Sequence, residues 1–481
     1  MFFQPRKDAY MLSEAANNLK FIQSKIQEIN AAIVEASEKG CPNGDRNNLE
    51  AFEKTIRLLT SELADWITAR QLQELLVRED TNFKIKEITH RKKLMNHGMR
   101  TLMVRLSGGT AIPFVISYWI TKKGDKRRKR EKGLYPALLF FGIYDHCSPL
   151  LLAEVSQLCV ALGSMEEAQR LLRERGVHLD IKTIRNSVKR FARRARTGQK
   201  ALSEMIFAND KLKGQRVVIS MDGGRLRIRK TKRGPKTKKG RTHYSTDWRE
   251  PKLLIIYVVG EHGRIDKKFS PVIDGTLQGP EDLYALLWNY LLALGVSEVD
   301  EILFIADGAV WIWEHLQAFK ALLALKGLKC KIVELLDMYH AVQHLYAFSE
   351  LKKTWTRKKR TQWINEQKNY LKKGNIEKFI GALENACRGS KSKRLQRELE
   401  YFCKNSERMT YATRKAMHMP IGSGAIESAI RRVINLRLKS PCIFWHEDTA
   451  SEILLLRSYF KSGRWEQLKT MAYRGGFCDA A

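Results

Sequence analysis

The sequence predicts a mixed α/β chain in which a five-stranded sheet with a helical insertion follows a mainly α-helical N-terminal region. Three observations predict it. Apolar residues recur at steps of three and four from Met11 to Leu94. From Gly214, short apolar runs bounded by turns alternate with helical stretches. From Tyr339 to Lys415 the strand pattern disappears, and the text is helical, basic and aromatic. The resulting division is 1–98 (helical hairpin), 99–147 (β-hairpin and basic loop), 148–212 (paired helices), 213–338 (sheet domain), 339–418 (helical insertion) and 419–481 (last helix of the sheet domain and tail).

In the first part Leu12, Ala15, Leu19, Ile22, Ile26 and Ile29 line one helical face. A Gly-Cys-Pro-Asn-Gly turn at 40–44 separates this helix from a second, about Arg46 to Glu79. The pair reads either as a dimerisation arm or as a packed bundle. Thr101 to Ile120 reads as a small β-hairpin, and Lys122 to Lys132 as a basic loop that is solvated or touches phosphate.

Between Ser148 and Arg196, Ser164-Met-Glu-Glu opens a helix with a capping-box pattern, and Gly176 ends it. Asp180 caps a second helix with Ile184, Val188 and Phe191 on one face. Its other face carries Lys182, Arg185, Asn186, Lys189, Arg190, Arg193 and Arg194. Helix, Gly turn and basic helix is what a helix-turn-helix needs to place its second helix in a major groove; the alternative is a basic surface helix.

In the sheet domain, Arg216 to Met221 is a buried strand running into Asp222, and Arg225 to Lys230 reads as its continuation. A loop, Thr231 to Trp248, is followed by strands at Leu253 to Val259 and Phe269 to Ile273. Helix 282–294, a strand from Glu301 ending at Asp307, helix 311–325 and a strand from Lys331 ending at Asp337 complete it. Three antiparallel strands followed by helix, strand, helix, strand is the order of an RNase H-like fold. A lone Asp after a strand is usually a turn former or helix cap. Asp222 and Asp307 are each followed by Gly, so that reading stays open for both. Two such residues at the ends of neighbouring strands, in a strongly basic chain, point to metal ligands.

Lys and Arg number 86 against 52 Asp and Glu, a net charge of +34, which favours a polyanionic partner such as a nucleic-acid backbone. The eight cysteines form no CxxC pair, so no zinc ribbon is expected, and scattered single thiols suit a reducing cytoplasm. Met1 to Tyr10 lacks a signal-peptide pattern, and no apolar run is long enough to span a bilayer. No membrane association is expected.

Near the C-terminus the chain reads Met419-Pro-Ile-Gly-Ser-Gly-Ala-Ile-Glu-Ser-Ala-Ile-Arg-Arg. With Asp307-Gly-Ala-Val-Trp-Ile-Trp and Asp337-Met-Tyr-His-Ala-Val-Gln-His, it resembles the Mutator-like group of DDE transposases. More closely, it is similar to transposases of bacterial insertion sequences that carry a Gly-Ser-Gly-x-x-Glu-Ser block. The resemblance covers about Arg216 to Phe460 and departs at the N-terminus, where this chain has no Cys-rich metal-binding segment.

The resemblance implies an RNase H-like domain whose catalytic and metal-binding triad is Asp222, Asp307 and Glu427. Asp337 and His340 fall on the group's Asp/Cys-x-x-His element. Arg431, four residues after Glu427, either touches the scissile phosphate or forms an ordinary surface ion pair. Three carboxylates suit two Mg2+ ions, with Mn2+ able to substitute, whereas His or Cys ligands would have pointed to zinc. No nucleotide cofactor is expected. The partners implied are double-stranded DNA, as terminal inverted repeats and target, and a second copy of the chain in a homodimer or higher oligomer, acting at the bacterial nucleoid in the cytoplasm. Expected DNA contacts are Arg225, Arg227, Arg229 and Lys230 beside the first strand, Lys182, Arg185, Asn186, Lys189 and Arg190 on the basic helix, and Arg432 and Arg437 after the triad Glu. The rival readings are a catalytically inactive DNA-binding regulator and another RNase H-like nuclease.

Overall fold

A computed structural model describes residues 5–41, 46–121, 133–202, 212–238, 240–296, 299, 301–328, 330–439 and 443–474. The basic loop 122–132 and part of the turn at 40–44 lie outside the described residues. The chain divides into two compact units, Met1–Gly198 with Lys469–Ala481, and Gln199–Leu468. Among the described residues no helix is long and apolar enough to cross a membrane.

In the first unit α1 (Pro5–Lys39) packs on α2 (Arg46–Val77), followed by α3 (Glu79–Arg91). Ile22, Ile26 and Ile29 of α1, at helical spacing, are buried in one core with Trp66 and Ala69 of α2. Strands β1 (Leu94–Arg105) and β2 (Ala111–Thr121) pair antiparallel, with a bulge between Asn96 and Met99. The hairpin is longer than the expected one because that bulge carries the pairing past the polar Asn96-His97-Gly98 run. Buried Asp65 holds the hairpin turn, accepting the N–H groups of Gly108 (2.9 Å) and Thr110 (3.0 Å).

Helices α4 (Pro136–Phe140), α5 (Pro149–Ala161), α6 (Met165–Glu174) and α7 (Ile181–Leu202) follow. Ser164 Oγ caps α6 by accepting the Glu167 N–H at 3.0 Å, while the Glu167 carboxylate accepts the Gly163 N–H at 3.0 Å. Asp180 caps α7, its Oδ1 accepting the Thr183 N–H at 2.9 Å.

The second unit is built on a five-stranded mixed sheet. Its strands are β3 (Val217–Gly223), β6 (Lys252–Val258), β7 (Val272–Thr276), β8 (Glu301–Ala306) and β9 (Lys331–Leu336), in the spatial order β7-β6-β3-β8-β9. β3, β6 and β7 run antiparallel, and β8 and β9 extend β3 in parallel. Between β3 and β6 the chain makes a separate two-stranded ribbon, β4 (Leu226–Thr231) and β5 (Tyr244–Arg249). The segment from Arg225 is therefore not a continuation of β3, and the expected loop contains a strand. The tandem Gly223-Gly224 interrupts the first strand, and the alternation of Leu226 and Ile228 restarts a new one. β7 begins later than the expected Phe269, because Pro271 lacks the N–H that a ladder needs.

Helices α8 (Pro280–Ala293) and α9 (Val310–Leu325) pack on one side of the sheet. Leu283, Leu287, Ile312 and Leu316 bury there with Val217, Ile219, Met221, Leu254, Ile256, Phe304 and Ala306. α10 (Met338–Leu351) leaves β9, and α11 (Arg357–Lys373), α12 (Ile376–Cys387), α13 (Lys393–Lys404) and α14 (Tyr411–Ala416) form the helical insertion. Trp363 of α11 stacks on Phe348 with ring centroids 5.5 Å apart and meets Trp355 at 5.1 Å. Phe348 is buried there, while Trp363 and Trp355 are half-buried against it. The chain returns in α15 (Gly424–Ile430), a π-helical turn (Arg431–Asn435), α16 (Glu447–Lys461) and α17 (Trp465–Arg474). The helix that begins at Gly424 widens to π geometry at Arg431.

Candidate active site at the sheet edge

The strand register assembles the site. The last parallel pair of β3 and β8 is Ser220 with Ile305, and the last of β8 and β9 is Ala306 with Leu336. Carried forward, the register sets Asp222 level with Asp307 and Asp307 level with Asp337, at the carboxyl ends of three adjacent strands. Neighbouring strands lie about 4.8 Å apart, so the three positions fall within roughly 10 Å. Side chains alternate faces along a strand. Because Met221, Ala306 and Leu336 precede the three acids, and Met221 and Ala306 point into the α8–α9 core, the acids belong to the opposite face. α15 packs on β3 and β6.

Each acid has its own surroundings. Asp222 Oδ1 accepts the N–H of Gly223 at 2.6 Å. Burial pushes its carboxyl up to about 6, and the negative charge of Asp307 adds to the shift. The Gly223 N–H and His340 oppose it, while Glu427 contributes further repulsion. Asp307, His340 and Glu427 therefore all lie within electrostatic reach of Asp222. Asp307 Oδ1 accepts the Ala309 N–H at 3.0 Å, and its carbonyl accepts Trp313 Nε1–H at 2.8 Å. A Cβ on Gly308 would stand 2.0 Å from Cε2 of Tyr401, so only glycine fits after Asp307. Glu427 sits in the first turn of α15 and is exposed.

Asp337 is different. It is wholly buried, and both carboxylate oxygens are occupied: Oδ1 accepts the Tyr339 N–H at 2.8 Å and Oδ2 accepts the hydroxyl of Ser423. It is the N-cap of α10 and the anchor of the Gly422-Ser423-Gly424 turn. The Met338 N–H also bonds the Ile421 carbonyl at 3.0 Å. A Cβ on Gly422 would meet Tyr339 Cδ2 at 2.4 Å, which explains the glycine there.

The insertion supplies residues that local pattern did not single out. His344 Nδ1 lies 2.8 Å from Glu398 Oε2, and its ring stacks on Tyr401 with centroids 3.8 Å apart. His340 stands beside His344, centroids 5.7 Å apart. Burial raises the Tyr401 phenol above its ordinary range, helped by Asp307, Asp337 and Glu398. Glu398 and Tyr401 come from α13, some way along the chain, and nothing in their local pattern announces the contact.

The expected basic contacts separate on inspection. Lys182, Arg185, Asn186 and Arg190 are exposed on α7 and Lys189 is half-buried, opposite buried Ile184, Val188 and Phe191. Arg190 pairs with Asp145 at 3.0 Å. Arg194 does not belong to that face: it is buried, with its guanidinium 3.4 Å over the Tyr144 ring. A correction also applies to Arg437, which is 4% exposed and lies 5.2 Å over Trp445, so it is a packing residue. Arg432 donates to the carbonyls of Ser428 and Lys461, both at 3.3 Å. Arg431 is exposed, and among the described residues no ion pair joins it to Glu427. Arg225, Arg227, Arg229 and Lys230 lie on or beside β4, with Lys230 paired to Asp247 at 2.5 Å.

The donor set suits a hard divalent cation. Carboxylate oxygens are the ligands such ions prefer, and a bound cation would relieve the repulsion that adds to the effect of burial at Asp222. As placed, no three His, Cys, Asp or Glu groups among the described residues stand close enough together to enclose an ion. Compared with protein-family models, curated proteins and solved structures, the chain shows no match.

Proposed function

We propose that the chain is a DDE transposase of the insertion-sequence type, with an RNase H-like catalytic domain formed by the second unit. The observation that carries this reading is the level placement of Asp222 and Asp307 at the ends of adjacent strands, with Glu427 of α15 in electrostatic reach. The strand order β7-β6-β3-β8-β9 is, in chain order, 3-2-1-4-5, with the second strand antiparallel to the first. That order, and the residues that resemble the Mutator-like group, support the fold assignment.

In this reading Asp222 and Asp307 hold the metal ions from the sheet edge and Glu427 from the helix. Two Mg2+ ions, when bound, activate the attacking oxygen and stabilise the leaving oxygen of an in-line displacement at phosphorus. Asp337 does not share in this; it fixes the turn that carries Glu427. His340 keeps a hydrogen-bonding group beside Asp222, available to a phosphate oxygen or a water. The exposed basic face of α7 supplies phosphate contacts, in keeping with a net charge of +34. Exposed Phe21, Val34, Leu49, Leu58 and Ile67 on α1 and α2 support an oligomer, the form in which paired element ends are held. The protein would then work on DNA in the bacterial cytoplasm.

The test is cleavage and joining of a labelled duplex carrying the element's own end, with Mg2+ or Mn2+. Wild type is run beside Asp222→Ala, Asp307→Ala and Glu427→Ala. Metal-dependent strand transfer by wild type alone, with end binding retained in all variants, is the expected result. Binding without cutting by all four proteins favours a DNA-binding regulator instead. Cutting without joining favours a nuclease.

A further inference from the structure

The ribbon β4–β5 leaves β3 directly after Asp222 and the two glycines, and its two faces differ sharply. Antiparallel partners share a face, so Arg227 with Trp248, Arg229 with Thr246 and Thr231 with Tyr244 lie on one side. Leu226 and Ile228, buried at 0% and 2%, lie on the other. Asp247, the one acidic residue in the two strands, is opposite Ile228 on that second side and is paired there with Lys230. The first side therefore combines arginines and aromatic rings with no carboxylate from either strand.

These groups alternate in space. The Arg227 guanidinium lies 4.5 Å from the ring of Phe444 and 5.7 Å from that of Trp248. Arg229 lies 4.7 Å from Tyr244, and Arg225 5.8 Å from Trp248. Tyr244 and Phe444 stand 5.9 Å apart. The segment carrying Phe444 is fixed to β4 by bonds between the backbones of Trp445 and of Arg227 and Arg229. The rings are not withdrawn into a core: Trp248 is 53% exposed and Tyr244 43%. Large aromatics kept at the surface beside guanidiniums are the means by which proteins hold unpaired nucleotides. The rings stack on bases and the cations meet phosphates, and stacking serves any base because each has a π face.

We infer that this face of the ribbon, centred on Trp248 and Tyr244 with Arg225, Arg227 and Arg229, binds an unpaired stretch of DNA strand next to the carboxylate edge. The inference rests on the nucleic-acid reading above and adds to it a strand state and a stacking surface. A duplex would present its bases edge-on in a groove, where arginines are useful and a half-exposed indole has no base face to cover. Stacking and charge contacts also separate experimentally, because only the charge contacts release counterions.

The experiment is fluorescence anisotropy of the full-length protein with a labelled thymidine oligomer of about 20 nucleotides, and with the same oligomer as a duplex, over a salt series. Trp248→Ala is expected to weaken oligomer binding about ten-fold or more, with an unchanged salt slope and unchanged duplex binding. Trp248→Phe restores most of the affinity, which a purely structural role for the indole would not predict. Arg227→Ala lowers the salt slope by about one. If wild type binds the oligomer and Trp248→Ala binds it equally well, the stacking surface is wrong. If Trp248→Ala loses oligomer and duplex binding equally, the ribbon is a duplex contact and the inference is overturned. If wild type binds neither ligand, the nucleic-acid reading itself fails and this one with it.

Discussion

Asp337 Oδ2 accepts the hydroxyl hydrogen of Ser423, joining the end of β9 to the turn that opens α15 across 86 residues of chain. Because Oδ1 simultaneously caps α10, one buried carboxylate fixes three things: the start of α10, the Gly422-Ser423-Gly424 turn and, through that turn, the position of Glu427. The whole helical insertion lies between the two partners. The bond thus ties together the chain on either side of that insertion.

Ser423→Ala is therefore expected to destabilise the protein by about 1–3 kcal/mol, since it leaves one oxygen of a buried carboxylate without its donor. If the chain acts as proposed, strand transfer is expected to fall with it while DNA binding stays, because the substitution loosens Glu427 rather than any basic surface. Denaturant unfolding and the joining assay, run on the same preparation, check both. Stability equal to wild type would mean that the bond does not hold the turn.

Asp222 gives a pH prediction with a definite sign. Unfolded, an aspartate releases its proton near pH 3.9, whereas in the folded chain Asp222 does so at about 6. Between those values the native state binds more protons than the unfolded one, so stability falls as pH rises through the window and the penalty is complete near pH 7. Asp222→Asn, which stays neutral, is expected to be more stable than wild type near pH 7 by roughly 1–3 kcal/mol, and equal to it below about pH 4. If the site holds Mg2+ as proposed, excess Mg2+ is expected to narrow the gap by stabilising wild type and not the variant. Thermal melts at two pH values, with and without the ion, measure this. A variant less stable than wild type near pH 7 refutes the electrostatic account of the site.

Gly308 and Tyr401 form a second coupled pair. Gly308→Ala places a methyl 2.0 Å from the Tyr401 ring, so the loop carrying Asp307 or helix α13 must shift. An overpacking cost of about 1–3 kcal/mol follows. Tyr401→Ala removes the obstacle, so the double variant is expected to be more stable than the sum of the single losses predicts. A double-mutant cycle on unfolding free energy reads the coupling. Strict additivity would show that the two residues do not meet.

Much of the sheet was legible in the sequence because its strands are short, apolar and bounded by turns. β3, β6, β8 and β9 fall where Arg216 to Met221, Leu253 to Val259, Glu301 to Ala306 and Lys331 to Leu336 predict them. Asp222 and Asp307 were legible for the same reason, as acids closing apolar runs. The roles of individual charges were less legible. Helical spacing assigned Arg194 to the exposed basic face, yet its side chain is buried over Tyr144, a partner outside α7. Likewise the pattern after Glu427 is helical throughout, and only packing against α16, where Arg457 Nε bonds the Val433 carbonyl at 2.8 Å, reveals the turn as π and Arg437 as buried. β5 was hidden because Tyr244 to Arg249 carries no run of buried apolar residues: its two aromatics, Tyr244 and Trp248, stay exposed and Ser245, Asp247 and Arg249 alternate with them.

The contrast between the two sides of α7 is the last prediction. Arg185 is exposed and Arg194 is buried under a ring contact of 3.4 Å, so two arginines on one helix carry different loads. In the proposed function Arg185→Ala removes a phosphate contact. It is expected to leave unfolding free energy within about 0.5 kcal/mol of wild type. It also lowers the slope of log affinity for duplex DNA against log salt by about one, uniformly across sequences if the contact is to backbone. Arg194→Ala instead vacates a buried volume and strips Tyr144 of its cation, and it is expected to cost about 2 kcal/mol or more of stability. Its salt slope, measured at a temperature where it remains folded, matches wild type. If Arg185→Ala changes neither affinity nor slope, α7 is a surface helix of a bundle, and the DNA contact must be sought elsewhere in the chain. If its effect differs from one DNA sequence to another, the side chain reads a base edge, as the second helix of a helix-turn-helix does.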